Sequence, residues 1–204
     1  MNAFCIDDFV FGDAPSAAVM KALVGKRMAF PANGKTGLIL YGEYGTGKTT
    51  LAKHFPRLFD EDDDVFVAWN DCGLDGTEKI RRAEAQFQVM SMNSSGRHWF
   101  VWDEADMLRS DSQQKLKTIM NHTHALHIFT TNHLSKVDAA LVSRCHVINM
   151  NTSGDAEDYK TRICEIAKRQ YQRTLERSEV GWVVGDGNLS WRDMLTTLDA
   201  ACCE

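Results

Sequence analysis

The sequence predicts an α/β protein: a parallel sheet sandwiched by helices, followed by a small all-helical domain. Short apolar runs alternate with segments of helical spacing through the first three quarters of the 204 residues. Runs of that kind suit parallel strands buried on both faces. A glycine-rich loop sits between the first run and the helix after it. From about residue 151 the strand pattern stops and helical spacing alone continues. The predicted division is therefore an α/β domain over 1–150 and a helical domain over 151–204.

Each element has its own signal. An N-terminal arm carries Asp8-Phe9-Val10-Phe11-Gly12-Asp13, and residues 16–24 then place apolar side chains at helical spacing. Residues 31–35 break that pattern before the first strand, Leu38-Ile39-Leu40-Tyr41. The next helix is predicted over about 48–55, ended by Pro56, which lacks the N–H a helix interior needs. Phe66-Val67-Ala68-Trp69 reads as a second buried strand, with a helix over about 75–90 behind it. Gly96 opens the turn into a third strand, His98-Trp99-Phe100-Val101-Trp102. A helix over about 111–123 presents Leu116, Ile119 and Met120 on one face. His127-Ile128-Phe129-Thr130-Thr131 and Cys145-His146-Val147-Ile148 are the fourth and fifth strands. In the helical domain Ile163, Ala167, Tyr171 and Leu175 repeat every four residues, and Leu195, Leu198 and Ala201 follow a break at 185–187.

Composition bounds the function. With 44% hydrophobic and 25% charged residues the chain is an ordinary globular one. No apolar run approaches the roughly 18 residues of a membrane span, and the start lacks a basic stretch and a long apolar segment. An intracellular, cytoplasmic protein with no membrane partner is expected. The net charge of −5 gives no global footprint for nucleic acid, so any DNA site must be local. The acidic run at 60–64 reads as a solvated loop. Six cysteines without CxxC spacing suggest reduced thiols rather than a disulfide framework or a zinc site. His122, His124 and His127 lack a cysteine or carboxylate at ligand spacing and read as surface residues.

The chemistry is concentrated in Gly42-Glu43-Tyr44-Gly45-Thr46-Gly47-Lys48-Thr49-Thr50. Between a strand and a helix, glycines at 42, 45 and 47 let consecutive N–H groups point at an anion on the helix N-terminus. Lys48 is placed to reach the β- and γ-phosphates and Thr49 to hold Mg²⁺, so ATP with Mg²⁺ is the expected ligand. The third strand ends in Asp103-Glu104-Ala105-Asp106. Asp103 is placed for the magnesium shell, and Glu104 to polarise a water attacking the γ-phosphate. Asn132, at the end of the fourth strand, could orient that water. A guanidinium at Arg144 could neutralise charge on transferring phosphoryl oxygens, which implies an oligomer.

Taken together these stretches resemble the AAA+ ATPases with their P-loop fold, and within them the small subunits of sliding-clamp loaders (replication factor C-like). The resemblance rests on residues 42–50, on Asp103-Glu104-Ala105-Asp106 with Gln113-Gln114-Lys115-Leu116-Lys117 behind it, on Thr130-Thr131-Asn132, and on Leu141-Val142-Ser143-Arg144-Cys145. It implies that Arg144 is an arginine finger reaching the neighbouring subunit's nucleotide, that Asn132 is the first sensor, and that Arg192, in Ser190-Trp191-Arg192-Asp193, is the second sensor on a helical lid. It places Phe9, Val10 and Phe11 around the adenine. It implies DNA contacts by Arg81, Arg82, Lys115 and Lys117, and as partners other AAA+ subunits in a homo- or hetero-oligomer, DNA, and a sliding clamp or other replication protein. Tyr44 stands where the family has proline, the usual Tyr-Arg-Pro before the core is not found, and the sequence runs to Glu204 without a stretch matching the helical collar. A helicase loader or transposition regulator forming a filament on DNA, and a non-hydrolysing ATP-dependent scaffold, are the other readings; the Asp103-Glu104 pair argues against the scaffold.

Overall fold

The computed structural model describes residues 5–73, 76–86, 89–151, 156–184 and 190–202. Five strands, β1 (Gly37–Tyr41), β2 (Val67–Asp71), β3 (His98–Asp103), β4 (Ala125–Thr131) and β5 (Cys145–Asn149), form one sheet. Its order is β2-β3-β4-β1-β5, and every pairing is parallel. All five strands therefore end at the same edge, where the loop after β1 also lies.

Helices cover both faces. On one face α1 (Ala14–Val24) and α2 (Lys48–Asp60) bury Met20, Leu23, Leu51, Phe55 and Phe59 against Leu38, Leu40, Trp99 and Ile128. On the other, α3 (Gly76–Gln86), α4 (Ser110–Ile119) and α5 (Ala139–Ser143) bury Ile80, Leu116 and Leu141 against Ile39, Phe100, Trp102 and Phe129. Central strands β1 and β4 are buried along nearly their whole length, which is why their sequences are continuous apolar runs. The remaining helices, α6 (Ala156–Tyr171), α7 (Gly181–Val184) and α8 (Trp191–Cys202), make a small lid-like region with its own core of Ile163, Ala167, Val183, Met194 and Leu198.

Several details differ from the sequence reading. Pro56 does not end α2, which continues to Asp60. A proline inside a helix costs about 3 kcal/mol. Here the last turn is held by tertiary contacts: Phe59 packs on Phe30 and Trp99, and Asp60 Oδ2 accepts from Trp99 Nε1 at 2.7 Å and Ser95 Oγ at 2.8 Å. Asp60 is thus a structural acceptor rather than part of a solvated run. β2 is an edge strand and not a buried one, with Trp69 37% exposed. α4 stops at Ile119, and the chain passes through turns at 120–122 before β4. α3 ends at Gln86, with Val89 and Met90 outside it; its expected start at Asp75, and the breaks at 152–154 and 185–187, lie outside the described residues. His127 is fully buried on β4, where Trp102 Nε1 donates to its Nδ1 at 3.2 Å and burial pushes its pKa down to about 3. No cluster of metal-ligating side chains occurs among the described residues.

Candidate active site

The glycine-rich loop leaves β1 at Tyr41 and feeds α2 at Lys48. Gly45 and Gly47 sit at φ 76° and 87°, in the left-handed region that a Cβ disfavours. Gly45 also meets the lid, because a Cβ there would lie 2.6 Å from Ser190. The first N–H groups of α2 have no acceptor within the helix, and they open on a cleft of about 310 Å³. That cleft is lined by residues 44–50 from the loop and helix, Asp103 and Glu104 from the end of β3, 130–132 from β4, and Trp191 and Arg192 from α8.

Lys48 lies at its floor, 7% exposed, with Nζ donating to the carbonyls of Gly42 at 2.8 Å and Glu43 at 2.5 Å. Burial pushes its ammonium down to about 8, against the pull of the Asp103 and Asp106 carboxylates. Thr49 Oγ1 donates to Asp103 Oδ1 at 3.2 Å, and Thr130 Oγ1 donates to the same oxygen at 2.5 Å. The Glu104 N–H donates to Thr130 Oγ1 at 3.0 Å. One buried threonine hydroxyl thereby holds the Asp103 carboxylate and the Glu104 backbone. Thr131 does the same one residue on: its hydroxyl donates to Asp106 at 2.9 Å and accepts from the His133 N–H at 3.0 Å, bracketing Asn132. Thr130-Thr131-Asn132 carries part of the family resemblance in sequence, but neither threonine has a role assigned there.

The lid is docked on the loop. The Arg192 N–H donates to the Gly45 carbonyl at 3.1 Å, and Asn151, at the hinge between sheet and lid, accepts from the Glu43 N–H at 2.9 Å. Beside the cleft lies a second cavity of about 160 Å³, lined by Phe9, Ile166, Trp191 and Leu195, with Asp8 and Arg169 paired at its wall. Of the three residues expected around the adenine, Phe9 alone lines this cavity. Val10 packs into the lid core, and Phe11, two residues on from Phe9, packs with it against the α1–α2 face. Asp8, Arg169 and Trp191 line the cavity with Phe9.

Arg144 is elsewhere. It precedes β5, whose first residue Cys145 pairs with Gly37, the first residue of β1. The phosphate loop follows the last residue of β1, so the two ends are separated by a strand rising about 3.3 Å per residue. Arg81, Arg82, Lys115 and Lys117 are on α3 and α4, which pack side by side. Arg81 and Arg82 are strongly exposed and pair with Glu78, while Lys117 is 3.5 Å from Asp138.

Fold and cleft define a class, the P-loop nucleoside triphosphatases of parallel α/β build. Residues 38–152 match the family described as the ATPase family associated with various cellular activities (AAA), and the chain belongs to that family. No curated protein matches the chain. Among the described residues no helix is long and apolar enough to cross a membrane.

The donors in the cleft fit ATP with Mg²⁺. A buried ammonium and open N–H groups suit phosphate, and the Thr49 hydroxyl beside the Asp103 carboxylate is a hard oxygen pair of the kind Mg²⁺ selects. The Lys48 shift has a measurable consequence. Phosphate favours the charged ammonium, so binding above pH 8 must restore a proton that the free protein has lost. ATP affinity should be level below about pH 8 and fall toward tenfold per pH unit above it. Calorimetric titration between pH 7 and 9.5 reads this directly, and a flat profile for the wild type would contradict it; the Lys48→Arg variant should show no break. For the ligand-free fold the sign is opposite: the buried charge costs stability below about pH 8, and the cost is relieved between 8 and 10.5.

Proposed function

We propose that the chain is an ATPase subunit working between neighbours on DNA, in the manner of the small subunits of clamp loaders. Residues 1–150 hold ATP, 151–204 cover it, and each cleft is completed by Arg144 of the adjacent subunit. The position of Arg144 carries this reading. It lies at the edge of the sheet opposite its own phosphate loop, and that distance from its own cleft supports a role at a neighbour's. Within the cleft, Lys48 and the loop N–H groups hold the phosphates, Thr49 and Asp103 would hold Mg²⁺, and Glu104 takes a proton from the attacking water that Asn132 orients. Bound Mg²⁺ supplies charge neutralisation on the phosphate oxygens. Arg192, from the lid, lines the same cleft, which supports its role as the second sensor.

DNA is the proposed substrate surface because α3 and α4 bring two basic stretches together on an acidic protein. The ion pairs of Arg81 and Lys117 do not oppose this, since exposed pairs are worth about 0–1 kcal/mol and phosphate can replace the carboxylate. Alanine at both Arg81 and Lys117 should weaken DNA binding equally for all sequences and flatten the slope of log K against log salt by about two phosphate contacts. DNA stimulation of ATP turnover should fall with it. An unchanged salt slope would leave α3 and α4 as solvated faces.

A further inference from the structure

The turn that carries Arg144 is held from several directions. Its carbonyl accepts from the N–H groups of Thr36 at 3.0 Å and Gly37 at 3.2 Å. Lys35 Nζ reaches the carbonyls on either side, Ser143 at 3.3 Å and Cys145 at 2.5 Å. The guanidinium is pinned as well: Nη1 donates to the Ala140 carbonyl at 2.9 Å and Nε to Asn121 Oδ1 at 3.4 Å. Nη2 makes no hydrogen bond among the described residues. A guanidinium engaged at Nε and Nη1 with Nη2 left open has already given up most of its rotamer freedom, so less is lost when it meets phosphate.

Lys35 reaches this position through local sequence. Ala32-Asn33-Gly34-Lys35 closes a tight turn with Asn33 at φ 53° and Gly34 at φ 73°, the pair of positive φ values that Asn-Gly favours, and Ala32 and Lys35 exchange backbone hydrogen bonds of 3.2 and 2.9 Å. The turn sends the Lys35 side chain across the start of β1 to the edge strand β5. Its ammonium has no carboxylate partner among the described residues. Ordering a lysine costs rotamer freedom, and here that cost is offset by two carbonyls that bracket a single residue.

We propose that Lys35 is a positioning residue for Arg144: by bridging the carbonyls on either side, it holds the turn so that the open Nη2 of the guanidinium faces a neighbouring subunit's nucleotide. This rests on the reading of Arg144 given above. The test uses the whole chain and compares Lys35→Met, which keeps the stem and removes the donors, with Lys35→Arg, which keeps donors. Lys35→Met should lower kcat about tenfold with KM for ATP changed less than twofold, and Lys35→Arg should recover most of the loss. In an Arg144→Ala background Lys35→Met should cost nothing more. Mixed with Glu104→Gln, Lys35→Met should regain activity, because some interfaces then pair its intact Glu104 with a partner's well-held Arg144. Mixed with Arg144→Ala it should not. A merely structural defect would damage the variant's own cleft, and mixing with Glu104→Gln would not repair it; that result, or wild-type kcat for Lys35→Met, overturns the proposal. Slow turnover in Arg144→Ala beside normal turnover in Lys35→Met removes Lys35 alone, whereas normal turnover in assembled Arg144→Ala removes the finger reading and Lys35 with it.

Discussion

Alanine at Lys48 is expected to weaken ATP binding at least about 100-fold, ~2.7 kcal/mol, with the fold intact. The ammonium lies at the floor of the cleft, and in the free protein its donors are turned onto the Gly42 and Glu43 carbonyls. Those bonds are exchanged for bonds to phosphate oxygens, which are charge-assisted and roughly twice as strong as neutral ones. Stability should change little, because the variant loses two hydrogen bonds and is also relieved of a buried charge. Titration with a fluorescent nucleotide, alongside thermal melting, separates the two effects. Wild-type affinity in Lys48→Ala would contradict the assignment of the loop.

Alanine at Arg144 is expected to lower turnover by about 10³ while ATP affinity stays within about twofold. A guanidinium supplied across an interface stabilises charge that develops on the phosphoryl oxygens in the transition state, and it adds little to ground-state binding. Its own subunit's cleft keeps Lys48, Thr49, Asp103 and Glu104. The loss should therefore appear in kcat and spare KM.

Sequence made the core of this legible because the constraints there are local. A buried parallel strand must be an apolar run, and a loop cradling phosphate must have glycine where φ is positive; Leu38-Ile39-Leu40 and Gly45 satisfied both conditions in plain view. Asp103 and Glu104 could be placed because they follow such a run directly. What could not be read depends on neighbours distant in the chain. The helix survives Pro56 because of Trp99 and Phe30, and β2 is an edge because no strand follows it in the sheet order, although its apolar run looks like the others. Thr130 and Thr131 meet Asp103 and Asp106 only because β4 lies beside β3 in the sheet. In the arm the resemblance named a three-residue stretch, of which Phe9 lines the cavity while Val10 packs into the lid core and Phe11 against the α1–α2 face. His127 looked like its neighbours His122 and His124, yet strand register buries it against Trp102.

The central claim is that each cleft is completed by the next subunit's Arg144, and mixing two inactive variants tests it most directly. Glu104→Gln should bind ATP and fail to hydrolyse it, since Glu104 acts on the attacking water and not on binding. Arg144→Ala should do likewise for a different reason. In the mixture some interfaces pair an intact Glu104 with an intact Arg144, so ATP turnover absent from either protein alone should return, rising with protein concentration as assembly does. Wild-type turnover by assembled Arg144→Ala alone, or a mixture as inactive as its parts at concentrations where assembly is complete, would contradict the account.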